Sequence, residues 1–182
     1  MSRNYKIQHK EGIYFITFAT VEWVDVFTRK DYRSLFIESV QYCQKEKGLV
    51  VYSWCLMSNH VHMIVRSEFG DLSGTIRDLK KFTAKKIIAE IQGSGNESRK
   101  EWMLDIFKSA GSANSNNQTY QFWRQDNRPI EIFSNDVIDQ KMNYVHNNPV
   151  EAGIVENAED YIYSSARDYA GIKGLIDIEF LE

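Results

Sequence analysis

The chain has 182 residues, 43% hydrophobic and 26% charged, with 22 Lys and Arg against 25 Asp and Glu for a net charge of −3. That balance belongs to an ordinary soluble domain, long enough to bury a core without disulfides or structural metals, and one domain over 1–182 is expected. It excludes a highly basic nucleic-acid coat, though not binding through a local basic face.

Two cysteines, Cys43 and Cys55, are too few for a disulfide framework or a cysteine-built zinc site. No apolar run approaches the roughly 20 residues of a membrane span. The N-terminal MSRNYKIQHKEG lacks the apolar segment of a signal peptide. No membrane association and a cytoplasmic location are therefore expected.

Residues 13–20, IYFITFAT, are β-branched and aromatic and predict a strand. Over 29–47, Tyr32, Leu35, Phe36, Val40 and Cys43 fall on one helical face, and Gly48 is placed to end that helix. Residues 49–57 predict a second strand, Ser58 and Asn59 a turn, and 60–66 a third strand, so 49–66 reads as a β-hairpin. A helix over 72–92 follows, with Ile76, Leu79, Thr83, Ile87 and Ile91 as its apolar stripe. The polar stretch from 93, a short helix around 98–109 and the loop 111–118, GSANSNNQ, make 93–118 a flexible insertion. Short extended pieces are expected within 120–133. A helix from Asn135 or Asp136 runs toward Asn148, where Pro149 discourages its continuation. The tail, 150–182, has no clear pattern. The first six elements spell βαββαβ, an α+β ferredoxin-like sandwich with an antiparallel sheet and helices on one face, followed by a C-terminal helix that carries Tyr144.

Four features could carry chemistry. His60 and His62 stand two apart on the third strand, so both imidazoles point to one face and can reach one metal ion; Val61, Met63 and Val65 point to the other. For a bare His-x-His pair, half-buried strand histidines are the commoner outcome. Tyr144 lies about 120° from the centre of the Ile138, Met142 and Val145 stripe, and Asn148 follows one turn later. Together they could supply a nucleophile and an oxygen ligand, or be a surface tyrosine and a helix-terminal Asn. Arg77, Lys81 and Lys85 form a stripe at i, i+4 and i+8, flanked by Lys80 and Lys86. The segment from Arg77 to Glu90 holds five basic and two acidic residues, a local charge of +3. Such a stripe suits a phosphate backbone as well as it suits a solvated helix face. In QFWRQDNRP, 121–129, aromatic rings beside Arg124 and Arg128 could stack on unpaired bases, although aromatics in a short strand more often join a core.

MSNHVHMIV at 57–65 resembles the His-hydrophobic-His motif of single-tyrosine HUH transposases, and YVHNNPVEAGIV at 144–155 resembles their tyrosine motif. YIYSSARDYAG at 161–171 is similar to the C-terminal signature of REP-associated tyrosine transposases. GIYFITFAT at 12–20 and IRDLKKFTAKKI at 76–87 also look familial. The resemblance implies a ferredoxin-like core and a divalent metal, magnesium or manganese, held by His60, His62 and Asn148. It implies Tyr144 as the nucleophile, which attacks a phosphodiester to leave a 5′-phosphotyrosine and a 3′-hydroxyl. The implied substrate is single-stranded DNA beside a hairpin, held by Arg77, Lys80, Lys81, Lys85, Arg124 and Arg128. His146 belongs to the tyrosine motif without an assigned role. Members of the superfamily work as dimers with exchanged tyrosine helices or as monomers, and both states stay open. Two other functions compete: a domesticated module that binds DNA hairpins without cutting, and a hydrolytic metalloenzyme, which lacks acidic partners for its histidines.

Overall fold

The computed structural model describes residues 7–114, 119–125 and 127–181. Four strands form one antiparallel sheet: β1 (Ile13–Ala19), β2 (Leu49–Leu56), β3 (His60–Ser67) and β4 (Ile130–Ile132), in the order β2-β3-β1-β4. This is the ferredoxin-like order expected from the sequence. β1 and β3 occupy the middle, and their side chains are almost all buried. β2 is buried along its whole length.

Helices α1 (Lys30–Lys47) and α2 (Leu72–Gly93) pack together on one face of the sheet. Both match their amphipathic patterns. Gly48 ends α1 in the left-handed region at φ +59°, a conformation that costs glycine little. The Asp71 side chain caps α2 by accepting from the Gly74 N–H at 2.9 Å. Val61, Met63 and Val65 are fully buried, and by strand alternation they share the face covered by α1 and α2.

Helix α3 (Lys100–Ser112) lies inside the stretch expected to be flexible. Met103 and Phe107 are completely buried in the core, so this part of 93–118 is packed structure. Truncating Phe107 to alanine would cost roughly 3–5 kcal/mol. The helix takes in Gly111 and Ser112, where a loop was expected; 115–118 of that loop lie outside the described residues.

Helix α4 (Asn135–Glu151) begins where expected, and Ser134 caps it: Ser134 Oγ accepts from the Val137 N–H. It differs from expectation at its end, because it runs through Pro149. The proline is buried in the last turn, and the carbonyls of Asn148, Pro149 and Val150 accept from the N–H groups of Ala152, Ile154 and Gly153. With those carbonyls satisfied, the missing proline N–H leaves the final turn intact. α4 contacts β2 and β3 on the face opposite α1 and α2, so helices cover both sides of the sheet. The tail adds a bridge between Ser164 and Cys55 and a one-turn helix, α5 (Ala166–Tyr169). Cys43 and Cys55 are free and buried.

Among the described residues, no helix is long and apolar enough to cross a membrane.

Candidate active site

Strand register builds the site. Thr17 on β1 stands opposite His62 on β3, and Ala19 stands opposite His60. Opposite residues in an antiparallel pair share a face, so Thr17 reaches His62 directly: its Oγ1 lies 2.7 Å from His62 Nδ1. On the neighbouring turn, Asn59 Nδ2 donates to the Trp23 carbonyl at 3.0 Å. That bond orients the amide so that Asn59 Oδ1 accepts from His60 Nδ1 at 2.7 Å. His60 therefore carries its proton on Nδ1 and keeps a lone pair on Nε2.

The two imidazole centroids are 4.8 Å apart. Burial pushes the His62 pKa down to about 3, helped by the neighbouring His60 and Lys141. Burial also lowers His60, against a hydrogen bond that its ring makes to Asn148 and the charge of Asp25. Both rings are thus neutral near pH 7, the form that binds a metal.

Helix α4 lies over this pair. Asn148 Nδ2 is 3.4 Å from His62 Nε2, and the same side chain engages His60. The Tyr144 ring meets His62 edge-on at 5.0 Å between centroids, and it meets Phe15 the same way at 5.9 Å. Its side chain is 43% exposed, so it is open to a substrate from solvent. The four residues His60, His62, Tyr144 and Asn148 thus converge within one chain. Their chemistry suits one divalent cation: two neutral imidazoles whose Nδ1 atoms are engaged by Thr17 and Asn59, and an amide that can turn its oxygen inward. Among the described residues no group of three or more His, Cys, Asp or Glu is placed to hold a metal.

Several contributors lay beyond the sequence patterns. Thr17 and Asn59 orient the histidines. Lys141 sits one turn before Tyr144, with its ammonium 5.0 Å from the centroid of Phe15, and brings positive charge to His62. Its i, i+3, i+7 spacing with Tyr144 and Asn148 is a signal the sequence did carry.

His146, on the sheet side of α4, has Nε2 2.9 Å from Ser165 Oγ and 3.1 Å from Ser53 Oγ. Ser53 reaches it because a bulge in β2 between Val51 and Ser53 puts Ser53 opposite Ile64, on the α4 face. Burial pushes the His146 pKa down to about 4.

The basic residues divide. Lys80, Lys81, Lys85 and Arg124 border one groove of about 860 Å³, together with Tyr120 and Trp123. Lys80 also serves the fold there: its ammonium donates to the Arg124 carbonyl at 2.7 Å. Arg77 and Arg128 lie outside the groove lining, and Arg77 Nε pairs with Asp78 at 3.1 Å. Phe122 and Trp123 are core residues, 1% and 5% exposed, not free stacking surfaces. Trp123 Nε1 donates to Thr83 Oγ1 at 3.0 Å, which locks the ring against α2.

Fold and site together define an α+β ferredoxin-like protein in which a sheet face and the tyrosine-bearing helix packed on it bring together two histidines and an amide. The chain belongs to the IS200-like transposase family: the family model matches residues 9–118, more than half the sequence and including both histidines. Among solved structures it is similar to a REP-associated tyrosine transposase bound to a REP hairpin, at 17% identity and a TM-score of 0.66. That match covers 100% of this chain and 94% of the other, and it shows a shared fold. A candidate transposase from Deinococcus radiodurans R1 aligns at 14% identity over 81% of this chain and 95% of its own, with a TM-score of 0.45. No curated protein matches the sequence.

Proposed function

We propose that this transposase cuts and rejoins single-stranded DNA beside a hairpin, with Tyr144 as nucleophile and a divalent metal on His60, His62 and Asn148. The observation that carries the reading is the convergence of these four side chains on one sheet face. The hairpin is proposed by analogy with the DNA held by the structural neighbour.

The Tyr144 oxygen attacks the scissile phosphorus, and the bond to the 3′ oxygen breaks. The products are a 5′-phosphotyrosine and a free 3′-hydroxyl, and the tyrosine proton passes to solvent or to the departing oxygen. Energy kept in the phosphotyrosine allows a later 3′-hydroxyl to reseal the strand by the reverse step. When bound, magnesium or manganese would stabilise the charge that builds on the phosphoryl oxygens. Thr17 and Asn59 hold the imidazoles in the ligand tautomer. Lys141 adds positive charge beside the attacked phosphate. Lys81, Lys85 and Arg124 bind the strand backbone along their groove.

Because α4 reaches the histidines of its own chain, the reading includes a site completed in cis by a monomer. His146 acts as the latch that keeps α4 there.

The test incubates single-stranded oligonucleotides covering both flanks of the protein's own gene with protein and magnesium or manganese, followed by a denaturing gel. A metal-dependent protein–DNA band is expected for wild type and absent for Tyr144→Phe and His60→Ala. An adduct that survives Tyr144→Phe would remove the nucleophile assignment. Specific binding with no adduct would instead indicate a hairpin-binding module.

A further inference from the structure

The Trp23 indole belongs neither to the core nor to the chemistry above, yet the fold holds the residue in a costly conformation. It closes a 3-10 turn, Val21–Trp23, just after β1. Both Glu22 and Trp23 have positive φ, 51° and 54°, which is uncommon for non-glycine residues and an outlier for a bulky one. The turn is pinned on both sides. Val21 N–H donates to the Phe122 carbonyl at 2.8 Å, and the Trp23 carbonyl accepts from Asn59 at 3.0 Å. The indole itself gains little burial from this, since Trp23 is 50% exposed. Strain held at an exposed aromatic residue beside a candidate active site points to a function for that residue.

Its surroundings indicate which function. The indole meets the His60 ring edge-on, with centroids 5.8 Å apart. The Arg124 guanidinium carbon lies 5.4 Å from the indole centroid. Arg124 also borders the groove shared with Lys81 and Lys85. Trp23 and Arg124 therefore form the join between the basic groove and the histidine pair, and a strand running from one to the other passes over them.

We propose that Trp23 and Arg124 form a nucleotide subsite, in which an unpaired base stacks on the indole and the guanidinium binds its phosphate. An indole face accepts any base, whereas the bases of a duplex are already stacked and paired, so the subsite selects single strands without reading sequence. The location of the subsite rests on the proposed strand-cutting function; its binding needs neither metal nor the tyrosine hydroxyl.

The test uses the full chain carrying Tyr144→Phe, in chelator, with a fluorescein-labelled twelve-nucleotide thymidine oligonucleotide read by anisotropy. Trp23→Ala is expected to weaken binding about tenfold, within the range for one stacked base, and Trp23→Phe less than threefold. Arg124→Ala should weaken it and flatten its salt dependence, while binding of a dA·dT duplex of equal length stays unchanged in Trp23→Ala. The same oligonucleotide with one 5-iododeoxyuridine, irradiated against the unsubstituted Trp23, should crosslink to Trp23. The crosslink does not depend on any Trp23 variant folding. Equal affinity of Trp23→Ala and its parent, crosslinks only elsewhere, or no binding of the oligonucleotide would each overturn the subsite. A missing phosphotyrosine adduct in the separate cleavage assay would overturn the chemistry and leave the subsite standing.

Discussion

At the scale of single residues, the site is governed by which nitrogen of each histidine is free. Thr17 and Asn59 both take up Nδ1, at 2.7 Å in each case, and so direct both Nε2 atoms inward. Such partners of metal-ligating histidines commonly contribute ten- to a hundredfold in metal affinity. Thr17→Val keeps the shape of the side chain and removes its oxygen. It should weaken manganese binding about tenfold, measured by calorimetry, with the thermal midpoint nearly unchanged. Manganese affinity equal to wild type would mean that Thr17 does not orient a ligand. The His-x-His pair was legible from strand alternation alone. Its partners were not, because Thr17 is 45 residues away and meets His62 only through register.

At the scale of elements, α4 decides whether a chain completes its own site. Its amphipathic stripe explains the burial of Val145. Beside it His146 meets Ser53 of β2 and Ser165 before α5 on the sheet side of the helix. Tyr169 packs against the same imidazole, with ring centroids 5.1 Å apart. His146→Ala removes a half-buried hydrogen-bonding nitrogen and this ring contact, and should lower stability by about 1–2 kcal/mol in urea unfolding. It should also slow adduct formation by Tyr144 at saturating metal. Loss of stability with an unchanged rate of adduct formation would make His146 a packing residue and nothing more.

At the scale of the molecule, a net charge of −3 coexists with a basic groove, so attraction for DNA is local. If Lys81, Lys85 and Arg124 each neutralise one phosphate, log K should fall against log salt with a slope of about −2 for a single strand. The double variant Lys81→Ala, Lys85→Ala should reduce that slope to about −0.7. A slope unaffected by the double change would remove the groove from DNA binding.

A second long-range device is Glu97, 6% exposed, which joins the start of α3 to α1. Its carboxylate receives Arg99 Nε at 3.1 Å, Arg29 Nε at 3.3 Å and the Tyr32 hydroxyl at 3.4 Å. Burial alone would raise its pKa, but the hydrogen bonds from Arg99 and Arg29 prevail and hold it down to about 2. A depressed carboxyl pKa stabilises the fold above the unfolded value, near 4.5, and that contribution is lost as pH falls toward 2. Glu97→Gln should therefore cost roughly 2–3 kcal/mol at pH 7. The urea midpoints of variant and wild type should converge between about pH 4.5 and 2. A difference that stays constant across that range would show that the charge is not what matters.

The sequence by itself determined the βαββαβ order, the helices α1, α2 and α4, the shared face of His60 and His62, and the spacing of Tyr144 and Asn148. These are local properties: side-chain periodicity, glycine at a helix end and residue spacing are all written within a few turns of chain. Only the tertiary structure decided the rest. The β2 bulge that aims Ser53 at His146 and the packing of Met103 and Phe107 in α3 depend on partners distant in sequence. So does Trp23, whose surroundings bring together His60, 37 residues on, and Arg124, more than 100 residues on. Register, burial and satisfied hydrogen bonds are settled between elements, so their consequences appear only once the elements have packed.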